Sequence, residues 1–339
     1  MNLFVKERPI LDNLGHAKEN SIVSLEKVKI GGVNQAILIR GENASNPVLF
    51  MVHGGPGQSE MYLSHILNGP LEKHFTIVNW DQRGAGKSHT KAVKPTSMNL
   101  AQFVSDAEEV IHYVKKKLNK THEKFYLQGH SFGTILSMLM IQQYPHHFHA
   151  YIGLAQNIGL TETLRVSYDF VMKKAKETGN QKAISELESI GKPPFHHFSK
   201  GLWKYSVWLE KFGGKMHSRP GREVFKAIFS APEYGLVDKI NFVKGSLFSV
   251  KHLHQELLQV DLGKLVTKVD IPIYFFIGKH DYACPFELSE QYFDILQAPS
   301  KELLYFEHSA HMPHYEETER YYDLLLYVLK QTQPKNKVD

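Results

Sequence analysis

The sequence predicts an α/β fold: a mostly parallel, twisted sheet with helices on both faces, interrupted by an inserted helical cap. Two observations carry this. Short apolar runs alternate with segments whose apolar residues recur every three or four positions, from about residue 20 to 155 and again from 263 to 333. Between them, residues 156–262 read as helix, rich in aromatics and lysine. The expected organisation is therefore a main domain from 1–155 and 263–333, a cap (lid) over 156–262 and a flexible polar tail at 334–339.

The elements follow in order. "SIVSLEKVKI" and "NQAILIRGE" read as two strands joined in a hairpin at Gly31-Gly32. "PVLFMVHG" is a continuous apolar run ending in glycines, as a strand buried on both faces requires, and "HFTIVNWD" is another. Phe103, Ala107, Val110, Ile111, Val114 and Leu118 share one helical face, with Asn99 and Gln102 placed as an N-terminal cap. "KFYLQGH" is a strand, "SFGTILSMLMIQQY" a helix beginning at its end, and "AYIGLA" a strand. The inserted segment includes "TETLRVSYDFVMKKAKE", "KGLWKYSVWLEKF", "GREVFKAIF" and "FVKGSLFSVKHLHQELLQ", punctuated by Pro193-Pro194 and Pro220-Gly221. Alternation then resumes with strand "IPIYFFIGKHD", helix "FELSEQYFDIL", strand "KELLYFE" and helix "ETERYYDLLLYVLK".

Composition excludes several classes. The 339 residues carry a net charge of +5 with no Lys/Arg tract long enough for a nucleic-acid footprint. Lys115–Lys117 are expected on a solvated helix face. Leu3, Phe4 and Val5 are followed at once by Lys6 and Glu7, too short a run for a signal peptide, and the longest apolar runs are of strand length, so no membrane association is expected. With one cysteine, Cys284, no internal disulfide is possible, and a cytoplasmic enzyme is the expectation. The twenty histidines include "HHFH" (His146–His149), His196-His197 and His252/His254, none with zinc-ligand spacing. They are expected to be scattered surface residues, and neither a metal nor an organic cofactor is implied.

"DQRGAGKS" (Asp81–Ser88) ends like a phosphate-binding loop. That motif needs glycine where Asp81 stands, and a carboxylate there would oppose phosphate. Chemistry is better sought at the carboxyl ends of the strands. "GHSFG" (Gly129, Ser131, Gly133) lies between a predicted strand and helix, the context of a nucleophile elbow. Asp281 follows the strand "IPIYFFIG", and three histidines, His308, His311 and His314, follow "KELLYFE". Serine, then acid, then histidine is the triad order of such sheets. Mid-loop His311 is the preferred base, with His308 and His314 as structural or rim residues. The oxyanion hole is assigned to the N–H groups of Phe132 and Gly55, with Gly54 as the alternative donor in "HGGPG" (His53–Gly57).

Together "HGGPG", "DQRGAGKS", "GHSFG", Asp281 and His311 resemble the α/β-hydrolase superfamily, most of all the proline iminopeptidase family of serine peptidases. The match runs in order from about residue 20 to 330 and is strongest over 47–155. The resemblance implies an α/β-hydrolase fold and makes Asp81 and Arg83 structural partners in the floor of the cleft. It departs at the elbow, where these peptidases usually carry Gly-Gly-Ser-Trp-Gly; a histidine before the serine is common in esterase branches. Family peptidases also hold the substrate amine with cap glutamates, one in a Trp-Glu pair. Here Glu210 stands two residues after Trp208, one position out of step.

Three readings follow. The chain is an aminopeptidase on small peptides, an esterase or lactonase on small acyl compounds, or a ligand-binding protein with a vestigial site. Its partner is a small molecule or short peptide. Gly54, Trp208 and Glu210 are candidate substrate contacts, and Glu162, Glu223 and Glu233 are further candidate amine anchors. Trp203, Tyr205, Trp208 and Phe212 either line an apolar pocket or pack the cap. Cys284 is read as a packing residue.

Overall fold

The computed structural model describes residues 8–195 and 198–333, with Ser199 described by its backbone alone. His196, His197 and the expected tail lie outside the described residues.

The strands are β1 (Ile22–Ile30), β2 (Val33–Gly41), β3 (Val48–Val52), β4 (Thr76–Asp81), β5 (Phe125–His130), β6 (Phe148–Leu154), β7 (Ile273–Gly278) and β8 (Lys301–Phe306). They form one sheet in the order β1-β2-β4-β3-β5-β6-β7-β8. β2 is antiparallel to both neighbours, and every pairing beyond it is parallel. The hairpin expected at Gly31-Gly32 is present. Both glycines have positive φ, +53° and +80°, which a tight two-residue turn between twisted strands demands.

The apolar runs alternate between two cores. Phe50, Val52, Val78 and Trp80 face one layer, with Phe103, Val110 and Ile135. Leu49, Ile77, Tyr126 and Phe276 face the other, with Tyr321, Leu325 and Val328. Burial on both faces explains why these strands read as continuous apolar runs. The covering helices are α1 (Ser64–Leu71), α2 (Leu100–Lys117) and α3 (Phe132–Gln143) in the first half. Asn99 caps α2 by accepting from Gln102 N at 2.9 Å. The reciprocal bond of a capping box is not made, because Gln102 Nε2 donates to Asp106 Oδ1 instead. Lys115 is a correction: it is buried, with Nζ 3.1 Å from His147 Nδ1 and above the Phe125 ring. The last turn of α2 packs against the start of β5 and the turn before β6, so a lysine stem fills apolar space there. His147 is likewise buried and not a surface residue.

Between β6 and β7 the described chain is helical: α4 (Leu160–Glu177), α5 (Gln181–Ile190), α6 (Phe198–Lys211), α7 (Arg222–Ser230), α8 (Leu236–Leu257) and the short α9 (Leu262–Leu265). After β7 come α10 (Phe286–Ile295), the single turn α11 (Pro313–Glu316) and α12 (Thr318–Thr332). Helices α4–α6 bury a core of their own, including Leu164, Tyr168, Leu187, Tyr205 and Trp208. The inserted helices dock on the "DQRGAGKS" loop. Lys87 Nζ donates to Asp238 at 2.6 Å and to the Glu233 carbonyl at 2.9 Å. The Tyr234 hydroxyl reaches both Asp81 oxygens, at 2.9 and 3.0 Å. Gly245 of α8 lies so close that a Cβ there would sit 2.3 Å from the Gly84 carbonyl oxygen. Among the described residues no helix is long and apolar enough to cross a membrane.

Candidate active site

The carboxyl ends of β3, β5, β7 and β8 deliver His53–Gly57, Ser131, Asp281 and His311 to one end of the sheet. Ser131 sits between β5 and α3 with φ +53° and ψ −119°, a backbone state that L-residues rarely hold. The glycines around it are sterically required. A Cβ at Gly133 would fall 2.1 Å from the Val52 carbonyl oxygen, and one at Gly129 would fall 2.6 Å from Ser137 Oγ. The first turn of α3 thus lies directly against the end of β3. The Ser131 N–H continues the sheet by donating to Leu154 O at 3.1 Å, which turns the side chain out of the ladder.

Asp281 and His311 are brought together. Asp281 Oδ1 accepts from the N–H groups of Ala283 (2.8 Å) and Cys284 (2.9 Å), leaving Oδ2 3.0 Å from His311 Nδ1. A carboxylate opposite Nδ1 requires the proton on that nitrogen, so Nε2 is left with its lone pair. His308 is instead exposed, its N–H donating to Glu317. The Ser131 hydroxyl has the Cys284 thiol as its polar neighbour, at 3.9 Å, and no Ser131–His311 hydrogen bond is formed among the described residues. Such bonds are often loose without substrate. Burial, with Asp281 adding to it, pushes the Cys284 thiol well above its ordinary range.

The "HGGPG" loop packs against the elbow: a Cβ on Gly54 would be 3.0 Å from Ser131 Cβ. His53 fixes the loop. Its Nδ1 donates to Gly54 O at 2.8 Å, and its Nε2 accepts from Gln82 N at 3.1 Å. Burial lowers the His53 pKa, in keeping with a neutral ring that donates once and accepts once. In a trans peptide the C=O and N–H point opposite ways, so holding Gly54 O turns the Gly55 N–H to the other side. Gly54 N–H faces Glu60 Oε1 at 3.5 Å, whereas Gly55 and Phe132 N–H have no acceptor among the described residues. Gln82 Nε2 also binds the His53 carbonyl at 2.7 Å. Asp81 is fully buried and accepts from Ser59, Lys87 N and Tyr234. Arg83 forms a buried two-pronged ion pair with Asp106, at 2.8 and 2.9 Å. The "DQRGAGKS" loop is therefore a brace between the "HGGPG" loop, the sheet and the inserted helices.

Sequence reasoning missed Glu60. Its carboxylate pairs with His130 Nδ1, 70 residues away, and His130 Nε2 lies 2.8 Å from the His311 carbonyl. His314 completes the group, its ring 5.0 Å from that of His130. Burial opposes a charge on Glu60, but the neighbouring His130 cation outweighs it and holds the carboxyl at about 2. Burial likewise opposes a charge on His130, and Glu60 outweighs it to raise that pKa. His314, buried and beside a cation, is pushed down to about 3. No local motif marks Glu60; the one signal is its place three residues past Gly57.

Comparison with known proteins bears on this architecture. Residues 47–182 match the family model of the alpha/beta hydrolase fold. The probable aminopeptidase YbaC of Bacillus subtilis (strain 168) is 34% identical over 303 residues, covering 88% of this chain and 94% of that protein. The chain belongs to the α/β-hydrolase family. A proline iminopeptidase of Heyndrickxia coagulans is 24% identical over 294 residues, covering 83% of this chain and 89% of that protein. Two solved structures share the fold. A proline iminopeptidase-related protein of Thermus thermophilus has TM-score 0.61 and 19% identity, covering 92% of this chain and 98% of that one. An esterase of Rhodococcus sp. ECU1013 has TM-score 0.59 and 14% identity, covering 93% of this chain and 100% of that one. Both likenesses show the fold alone.

In this α/β hydrolase the remaining candidate contacts scatter. Trp208 lies in the core of the inserted helices, its Nε1 donating to Glu186 at 2.8 Å and its ring stacked on Phe212. Tyr205 is buried beside it, and Trp203 is exposed. Glu210 is half-buried and lies against Gly221. Glu162 and Arg165 form an exposed ion pair, whereas Glu223 is partly buried and pairs with Arg219 beside Tyr315, whose hydroxyl lies 3.5 Å from Glu223 Oε2. Glu233 is buried, with Oε2 3.8 Å from His65 Nδ1, and burial raises its pKa.

Among the described residues, two groups place three ligand-type side chains together: Glu60–His130–His314 and Glu108–His112–His147. Neither suits a dication as it stands. Both His130 nitrogens are already committed, and beside His147, whose Nε2 is free of partners among the described residues, the Lys115 ammonium opposes a second cation.

Proposed function

We propose that this α/β hydrolase is a serine hydrolase acting through an acyl-enzyme, most like an aminopeptidase of the proline iminopeptidase type. The observation that carries the reading is the oriented Asp281–His311 pair, next to a serine held in a strained elbow. Ser131 attacks the carbonyl carbon of an amide or ester. His311 Nε2 takes the hydroxyl proton and returns it to the leaving group, while Asp281 orients the ring and stabilises its charged form. The N–H groups of Phe132 and Gly55, both without acceptors among the described residues, receive the oxyanion. Water then attacks the acyl-enzyme, with His311 again as base. The helices of 156–262 cap the cleft, so the substrate is a small acyl compound or short peptide. The aminopeptidase reading draws on relatives named for that activity.

An esterase or lactonase is the second reading. It is favoured by His130 before the serine and by Glu162, which is exposed and engaged with Arg165. Rates on a prolyl arylamide, its N-acylated form and a short-chain aryl ester separate the two. An aminopeptidase turns over the free-amine arylamide and fails when the amine is acylated. Ester turnover with no arylamide turnover overturns the peptidase reading and leaves the esterase.

A further inference from the structure

We infer that the Glu60–His130 pair is a positioning device that sets the His311 loop against Ser131. The inference rests on the serine-hydrolase reading above. The geometry is specific. His130 sits immediately before the nucleophile, and each of its ring nitrogens faces an acceptor: the Glu60 carboxylate at Nδ1 and the His311 carbonyl at Nε2, 2.8 Å away. Two acceptors require two protons, so the ring is an imidazolium in this arrangement. Glu60 Oε1 also faces the Gly54 N–H at 3.5 Å. One partly buried ion pair therefore joins the oxyanion loop, the elbow and the base-bearing loop, which are far apart in sequence. The ring of His130 lies 4.9 Å from that of His311, so displacement of one is felt by the other.

The charged groups around His130 act in both directions. Glu60, before α1, and Asp281, after β7, favour its proton. His53, after β3, and His314, in α11, feel His130 as a neighbouring cation and are both lowered by burial in the first place. His311 contributes its carbonyl, which also favours the charged ring. When His130 loses a proton at high pH, Nε2 presents a lone pair to a carbonyl oxygen and the tether becomes repulsive. When Glu60 is neutralised, that loss comes at lower pH. His130 and Glu60 are thus positioning residues that act through His311.

The experiment is a pH series of kcat and KM on a short-chain aryl ester for the wild type, Glu60→Gln, His130→Gln and Ser131→Ala. The wild type should lose kcat on an alkaline limb. Glu60→Gln should move that limb to lower pH, and His130→Gln should abolish it. His130→Gln should lower kcat about ten- to a hundredfold with KM changed less than about threefold, the size of a displaced catalytic group. An alkaline limb in the same place in Glu60→Gln, or a kcat within about twofold of wild type in His130→Gln, overturns the inference. Ser131→Ala keeps the two levels apart: activity surviving there contradicts the serine-hydrolase reading, whatever the limb does. Nitrogen NMR of the unsubstituted protein covers variants that do not fold. A doubly protonated His130 ring at pH 7 is expected, and a neutral one overturns the proposal.

Discussion

Ser131→Ala is expected to lower kcat by several powers of ten while leaving the melting temperature within a few degrees of wild type. The loss is large because no neighbouring group can replace the hydroxyl. The nearest candidate is Cys284, 3.9 Å away, and thiols are usually better nucleophiles than alcohols. Here the thiol is buried, and burial together with Asp281 keeps it protonated. A protonated thiol does not attack a carbonyl. The fold should survive, because the substitution removes one hydroxyl and leaves the glycines that permit the elbow untouched. Rates on the ester and arylamide, with circular dichroism as the control, check both halves. A rate within a few-fold of wild type would remove Ser131 from the mechanism.

Asp106→Ala should produce the largest loss of stability. Asp106 is fully buried and accepts four hydrogen bonds: two from Arg83, one from Gln35 and one from Gln102. Arg83 is almost as buried and also donates to Gly31 O at 2.9 Å. Removing the carboxylate leaves a guanidinium without its counter-ion in the interior, which costs about 3–5 kcal/mol. The hairpin turn sits on this pair, since a Cβ at Gly31 would meet Asp106 Oδ1 at 2.0 Å. Adding Arg83→Met should recover part of the loss, because the stranded charge is then gone. Urea unfolding of both variants with an unchanged slope tests this. A loss under about 1 kcal/mol in Asp106→Ala, or a double variant less stable than the single, would contradict it.

What the sequence makes legible, and what it hides, follows from the range of the forces involved. The buried strands announce themselves because both faces are apolar, and Gly31-Gly32 announces the hairpin because only glycine tolerates two successive positive φ angles cheaply. Ser131, Asp281 and His311 stand out because each lies a few residues beyond a strand, where an α/β sheet exposes its loops. Lys115 is misread because helical periodicity gives the polar face but not the tertiary neighbours, His147 and Phe125, that cover it. Glu60 is invisible because its partner is 70 residues away and carries no motif of its own. Trp208 and Glu210 show the limit of spacing arguments in helices: an aromatic in a self-contained helical layer packs inward, whatever pair it makes with a nearby acid.

The most direct test is to trap the acyl-enzyme. The protein is mixed with an aryl ester that deacylates slowly, quenched in acid, weighed intact and mapped by peptide mass. One acyl group on the peptide containing Ser131, absent from Ser131→Ala, is the result predicted here. An acyl group on Cys284, or turnover with no covalent adduct at any time point, would contradict the central claim that Ser131 carries the acyl group.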